Sequence, residues 1–238
     1  TARRIKQRIA AVFDWAKGSG HYPHENPVNG LKKALPTVSR RPQHRAAMSW
    51  QGVPAFMADL AKRDGVSART LEFIILTAVR SGEARGARWV EISEGVWTIP
   101  ADRMKRGIPH RVPLSPEARE VLEKVRGLHD DLIFPSTTPG KRNKIGEQSV
   151  NVFIALFKRM EREGFTTHGF RSTFRDWCSE SAKADREVAE AALAHVSGNE
   201  VERAYARSDL FERRRKLMDA WGHYATGKAG NVVAMVRA

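Results

Sequence analysis

Residues 70–79 read Thr-Leu-Glu-Phe-Ile-Ile-Leu-Thr-Ala-Val, and this run constrains the fold more than any other. A helix over 68–79 is apolar nearly all round, so it has no face to give to water. It must lie at the centre of a domain, with other elements packed on every side. The chain offers them: helical patterns over 50–63, 116–126, 147–162, 169–182, 186–193 and 200–225. Between them the period shortens. "RWVEISEGVWTIPADRMKRGIPHRVPLS" mixes Trp, Val and Ile with turn residues and reads as three short strands, near 88–92, 96–99 and 110–114. The expected class is α+β: mainly α, with a small antiparallel sheet. A chain of 238 residues is long enough to bury such a core, as one large domain or one domain plus a fragment.

The N-terminal part reads differently. Residues 3–17 form an amphipathic helix with Ile5, Ile9, Val12, Phe13 and Ala16 on one stripe, ended by Gly18. Residues 18–47 are rich in Gly, Pro, Asn, His and Arg and read as a linker with turns. The main domain starts near Met48 and runs to about 225, leaving residues 226–238 as a tail. There Val232, Val233, Ala234, Met235 and Val236 make a short apolar segment behind a glycine-containing stretch. The first residue is Thr rather than Met, so a piece of a longer protein is expected.

Charge narrows the partners. The net charge is +14 and the pI about 10.4, which makes a polyanion the natural partner, nucleic acid first. A membrane ranks second, but no apolar stretch is long enough to span one. The opening residues alternate charge with apolar side chains, unlike a signal peptide. The single cysteine, Cys178, excludes an internal disulfide and any Cys-rich zinc motif, and fits a reducing compartment.

Four motifs carry chemistry. In "FTTHGFRSTFRDW", Thr166 or Thr167 can cap a helix starting near His168, and His168 and Arg171 share its first face. A helix N-terminus with an imidazole and a guanidinium suits a phosphate. On this motif alone a solvated basic face, continued by Arg175, is the plainer reading. In "TAVRSGEARGARW", Arg80 ends the buried helix, and Glu83 lies one turn on in a helix that Ser81 can cap. Glu83 can pair with an arginine and fix its direction; an ordinary salt bridge explains the pair equally well. Lys105 sits in a glycine-containing turn between two strands, where an exposed lysine is the common case. In "AALAHVSGNEVERAYARSD", His195 follows a short helix, Ser197 and Glu200 have capping-box spacing, and Tyr205 lies in the next helix. The run Arg213–Lys216 spreads over helix faces and is read as mostly solvated surface.

Taken in order, Arg80, Glu83, Lys105, His168-x-x-Arg171, His195 and Tyr205 resemble the site of the tyrosine recombinases, the phage integrase family, over roughly residues 48–225. The pattern around "LAHVSGNEVERAYARSDLFERRRKLMDAWGHY" is most similar to prophage and genomic-island integrases. Two places differ: the family often has Gly where this chain has Ala78 and Ala194. The resemblance implies the tyrosine recombinase catalytic-domain fold. It also implies that residues 1–35 are the last helix of a truncated core-binding domain plus the start of a linker, with 36–47 completing that linker. It implies Tyr205 as nucleophile on a DNA phosphodiester, giving a 3′-phosphotyrosyl link without metal, cofactor or ATP. Arg80, Arg171, His168 and His195 would hold the phosphate, Lys105 would protonate the leaving 5′-oxygen, and Glu83 would orient a neighbour. The partner implied is double-stranded DNA, bound by a homo-tetramer that is monomeric without DNA. The tail would dock on a neighbouring protomer, and the location would be the bacterial cytoplasm. Other readings are a type IB topoisomerase-like strand transferase and a non-catalytic DNA-binding protein of this fold. A metal-dependent nuclease ranks lower, since the sequence has no HExxH and no tight Asp/Glu cluster.

Overall fold

A computed structural model describes residues 2–31, 47–140, 145–162, 164–195 and 209–228. Contacts divide the chain into two units, Thr1–Gln43 and His44–Ala238. The first is built on α1 (Ala2–Gly18). The segment after it folds back on the helix. Asn26 Nδ2 donates to the Ala10 carbonyl at 2.9 Å and to Asp14 Oδ1 at 2.7 Å, and Phe13 meets Tyr22 edge-on at 5.0 Å. The start of the expected linker is therefore tied to the helix; the rest of it, 32–46, lies outside the described residues.

In the second unit a 3-10 turn (Trp50–Gly52) leads into α2 (Val53–Ala61) and then α3 (Val66–Thr77). α3 is the helix that the sequence leaves no exposed face. Leu71, Phe73, Ile74, Ile75 and Leu76 are each at most 2% exposed. Around it pack α2, the short α4 (Ser81–Arg85), α5 (Pro116–Val125), α6 (Val152–Arg159), α7 (Gly169–Glu180) and α9 (Phe211–Ala225). α8 (Arg186–Ala192) rests on α7 and α9. Burying a large apolar side chain is worth about 1.5–3 kcal/mol, so α3 is the main hydrophobic anchor. Its last turn leaves carbonyls without helical partners, and Trp221 Nε1 donates to one of them, Ile75 O, at 2.7 Å. Trp221 in turn stacks in a cluster with Phe174, Trp177 and Tyr224.

The sheet is antiparallel in the order β1-β2-β3, formed by Ile92–Ser93, Val96–Ile99 and His110–Pro113. Glu94 and Gly95 both take positive φ, the two-residue turn that matches strand twist. Val96 pairs with Pro113 and Ile99 with His110. The α+β class is as expected: helices predominate and the sheet has three strands. Among the described residues no helix is long and apolar enough to cross a membrane.

Boundaries moved where side chains intervened. The expected strand 88–92 shrinks to Ile92–Ser93, because Trp89–Glu91 coil into a 3-10 turn. There the Glu91 carboxylate accepts from Arg88 N at 3.1 Å and Trp97 Nε1 at 2.9 Å. The expected helix 147–162 loses its first turn, since Glu147 bridges to Pro135 instead. The expected helix 200–225 does not run through: Leu210 is left-handed at φ +55° and α9 starts at Phe211, with Asp209 Oδ1 accepting from Phe211 N at 3.1 Å. Residues 196–208 lie outside the described residues. Ser81 does not cap α4. It is the first helical residue, and the Glu83 carboxylate reaches back to Arg80 N at 2.7 Å.

Candidate active site

α3 stops because Ala78 turns left-handed at φ +54°, and after α8 Ala194 does the same at φ +48°. These are the two positions where alanine stands in place of the family's frequent glycine. An L-residue there carries strain of roughly 1 kcal/mol. The effect is to bring two helix C-terminal ends to one point. Arg171, from the first turn of α7, lies between them. Its Nη1 donates to Ala78 O, and its Nη2 donates to Leu193 O at 2.6 Å and lies 3.0 Å from His195 Nε2. Helix C-termini carry partial negative charge, which suits a guanidinium. Arg171 is only 4% exposed. Burial, reinforced by the Arg80 cation and opposed by Glu83 and Glu190, pushes its pKa down to about 10, so it stays charged at neutral pH. The solvated basic face is therefore overturned. Arg171 is buried, and Arg175 Nε is paired to Glu190 Oε1 at 2.7 Å.

Arg80 is the extended residue between α3 and α4. Glu83 fixes it twice, accepting from its backbone N–H and, at 2.7 Å, from Nη1. Glu83 is itself 5% exposed, and its carbonyl accepts from Arg103, on the approach to the β2–β3 turn. That turn carries Lys105. A cleft of about 150 Å³ is lined by Arg80, Lys105, His110 and His195. A second cleft of about 390 Å³ is lined by His168, Arg171, Arg175, Glu190 and His195. His195 belongs to both. The fold thus brings Arg80, Lys105, His168, Arg171 and His195 together, with Glu83 behind Arg80. His168 precedes α7, and it is Thr166 whose Oγ1 accepts from Gly169 N, at 3.1 Å. Tyr205 and the Ser197/Glu200 pair lie outside the described residues. Of the basic run, Arg214 departs from the solvated reading: it is 2% exposed.

Three site residues escaped the sequence. Glu190 precedes His195 by five positions, a spacing with no helical meaning, and only the left-handed Ala194 turns the histidine back onto it. Arg175 comes with it, as the carboxylate's second partner. His110 faces inward with Val112 on β3, and that alternation was a usable signal. Its ring is directed at the Ala192 carbonyl. Burial, with the Arg214 cation next in weight, pushes its pKa down to about 4, so it is neutral at pH 7.

Solved structures of lambda integrase share this fold. One, a dimer bound to a COC′ core site, aligns with a TM-score of 0.58 at 20% identity, over 82% of this chain and 72% of that one. Another, a tetramer bound to a Holliday junction, aligns with a TM-score of 0.60 at 18% identity, over 84% and 59%. The chain belongs to the phage integrase family, whose model matches residues 48–211. Its relatives include prophage integrase IntA of Escherichia coli K12, 37% identical over 93% of this chain and 53% of that protein. Prophage integrase IntZ of the same strain is 32% identical over 91% and 53%, and the integrase of Enterobacteria phage P4 is 30% identical over 94% and 54%. The chain spans about half the length of these relatives.

Proposed function

We propose that the chain is the catalytic part of a site-specific DNA recombinase that cleaves and rejoins double-stranded DNA through a 3′-phosphotyrosyl link. The observation that carries this reading is the meeting of Arg80, Lys105, His168, Arg171 and His195 around adjoining clefts that share His195. Among the described residues no carboxylate pairs directly with Arg171. A buried cation of that kind calls for an anion.

Tyr205 gives up its phenolic proton to water or to an imidazole of the site, a loss the nearby cations favour. Its Oη attacks the scissile phosphorus, the bond from phosphorus to O5′ breaks, and Lys105 gives O5′ its proton. The 3′ side stays esterified to the tyrosine. Attack by another 5′-hydroxyl reverses the step, so the ester is conserved and rejoining needs no ATP. Arg80 and Arg171 stabilise the charge that builds on the non-bridging oxygens, supplying what a metal supplies in other phosphoryl-transfer sites. His168 and His195 complete the contacts, and Glu83 holds Arg80 in direction. Of the three tyrosines, Tyr22 lies in the other unit, and Tyr224 donates its hydroxyl to Trp50 O at 3.1 Å within the aromatic cluster. Tyr205, ten residues past His195, is the one that suits the role.

Residues 1–35 are read as the end of a core-binding domain plus the start of a linker, 36–47 as the rest of that linker, 48–225 as the catalytic domain and 226–238 as a tail that docks on a neighbouring copy. Four copies assemble on DNA, as the lambda integrase on its junction does, from chains that are single without it. The setting is the bacterial cytoplasm, on DNA of a prophage or similar mobile element.

A nicked suicide substrate tests the reading. A covalent adduct resistant to EDTA, mapped to Tyr205 and lost in Tyr205→Phe with DNA affinity kept, is expected. An adduct on Tyr224, or none, overturns it. For Lys105, a substrate with sulfur as the 5′ leaving atom restores much of the rate lost in Lys105→Ala; equal defects on both substrates remove the general-acid role.

A further inference from the structure

One residue holds His195 at two points. Its backbone N–H donates to the Glu190 carbonyl at 2.9 Å, across the left-handed turn at Ala194. Its ring Nδ1 lies 2.8 Å from Glu190 Oε2. An ionised carboxylate only accepts, so Nδ1 carries a proton. At the far side of the ring, Nε2 lies 3.0 Å from Arg171 Nη2. A guanidinium only donates, so Nε2 presents its lone pair. Both neighbours select the same neutral tautomer. Glu190 is fixed in turn, because Oε1 accepts from Arg175 Nε at 2.7 Å. Burial raises its carboxyl, but the hydrogen bonds from Arg175 and His195 outweigh that and hold it below the usual range, so it is ionised at neutral pH.

We propose that Glu190 is a positioning residue for strand cleavage. It fixes the tautomer and the direction of His195, so that Nε2 stands beside Arg171 at the edge of the phosphate cleft. The proposal rests on the recombinase reading above. A phosphate oxygen entering the cleft meets Arg171 Nη2 and His195 Nε2 as neighbours. Whether Nε2 accepts a hydrogen bond or, once protonated, donates one, the ring needs no rotation, and Glu190 stabilises the imidazolium. This is the general service of a carboxylate behind a histidine. The clamp links Arg175 on α7, Glu190 on α8 and His195 just past α8 to the guanidinium that holds the C-terminal ends of α3 and α8.

Glu190→Gln keeps the shape but lets an amide N–H face Nδ1, which favours the opposite tautomer. The single-turnover rate of adduct formation on the suicide substrate is expected to fall roughly 10–100-fold, with the Kd for DNA changed less than threefold. Because Glu190 acts through His195, the double variant Glu190→Gln with His195→Ala should be no slower than His195→Ala alone. The ¹⁵N spectrum of the ring-labelled parent chain at neutral pH should show His195 protonated at Nδ1. Multiplying defects, an unchanged rate in the folded Glu190→Gln variant, or an Nε2–H tautomer in the parent would overturn the proposal. The spectrum needs no variant, so it decides even if Glu190→Gln does not fold. Absence of any adduct from the parent would overturn the recombinase reading and the proposal with it. An adduct accompanied by the wrong tautomer would overturn the proposal alone.

Discussion

Arg171 on α7 and Arg214 on α9 are 4% and 2% exposed, and both give hydrogen bonds to backbone carbonyls. Arg214 donates to Asp209 O at 2.7 Å and Arg111 O at 2.6 Å, and its Nη2 meets Asp209 Oδ2 at 2.9 Å. Arg171 also grips two carbonyls, but its remaining neighbour is an imidazole, and its Nε finds no partner among the described residues. The acids nearest in effect, Glu83 and Glu190, are already engaged by Arg80 and by the Arg175–His195 pair. One buried cation is neutralised where it stands. The other is kept short of negative charge, beside a second cation and two clefts. Burial does not separate a structural arginine from a functional one; the local charge balance does.

The comparison breaks most directly under substitution by methionine, which keeps the stem and removes the charge. Arg171→Met is expected to slow suicide-substrate cleavage by roughly 10³-fold, the scale for losing one oxyanion donor. Its thermal stability should stay within about 1 kcal/mol, since an unneutralised buried charge leaves with the hydrogen bonds. Arg214→Met should do the reverse. Two carbonyls lose their donor and Asp209, itself half-exposed, loses the nearer of its two arginine partners and keeps Arg111, for a loss of about 2–3 kcal/mol read from denaturant melts, with cleavage by the folded fraction largely kept. Equal effects of the two variants on rate would dissolve the distinction.

His110 sharpens the comparison, because both arginines act on it, Arg214 more strongly. Its folded pKa is about 4, while the unfolded chain takes up that proton near pH 6.5. The unfolded state therefore binds more protons between those values. The stability tied to the neutral imidazole is full above pH 6.5 and is lost as pH falls toward 4, by on the order of 2–3 kcal/mol. Melts across that window should show the slope, and His110→Gln should flatten it. In an NMR titration, Arg214→Met should raise the His110 pKa more than Arg171→Met; the opposite order would mean that the two fields have been ranked wrongly.

The smallest effect concerns the turn that presents Leu193 O to Arg171. Ala194→Gly removes a left-handed alanine and should stabilise the fold by up to about 1 kcal/mol, seen as a Tm rise of a few degrees. If Tm falls instead, the gain in unfolded-state freedom exceeds the strain relieved.

Much of this was legible beforehand, for local reasons. The all-round apolar run of α3 had to be central. The helix expected over 116–126 is α5, and Ser115 Oγ holds its start by accepting from Ala118 N at 3.2 Å. His168 and Arg171 share a helix face because residues three apart do so on any helix. The order of Arg80, Glu83, Lys105, His168, Arg171, His195 and Tyr205 was readable as residue types at spacings. Helix ends were less so. Leu210 breaks the last helix by a left-handed turn that no propensity favours, and Glu91 coils an expected strand by drawing Arg88 N and Trp97 to itself.

What the sequence determined by itself is which segments must be buried, which ends can be capped and which side chains share a face, because these follow from periods of two and 3.6 and from hydrogen bonds to near neighbours. What only the tertiary structure decided is the charge state of the site's surroundings. The carbonyls that hold Arg171 come from residues 78 and 193, on helices far apart in the chain. The carboxylate that holds His195 reaches it only through a left-handed alanine, and His110 is kept neutral by burial and by cations on α7 and α9. Coulomb energies depend on distances through space and on lost water, and neither is set until the helices have packed around α3.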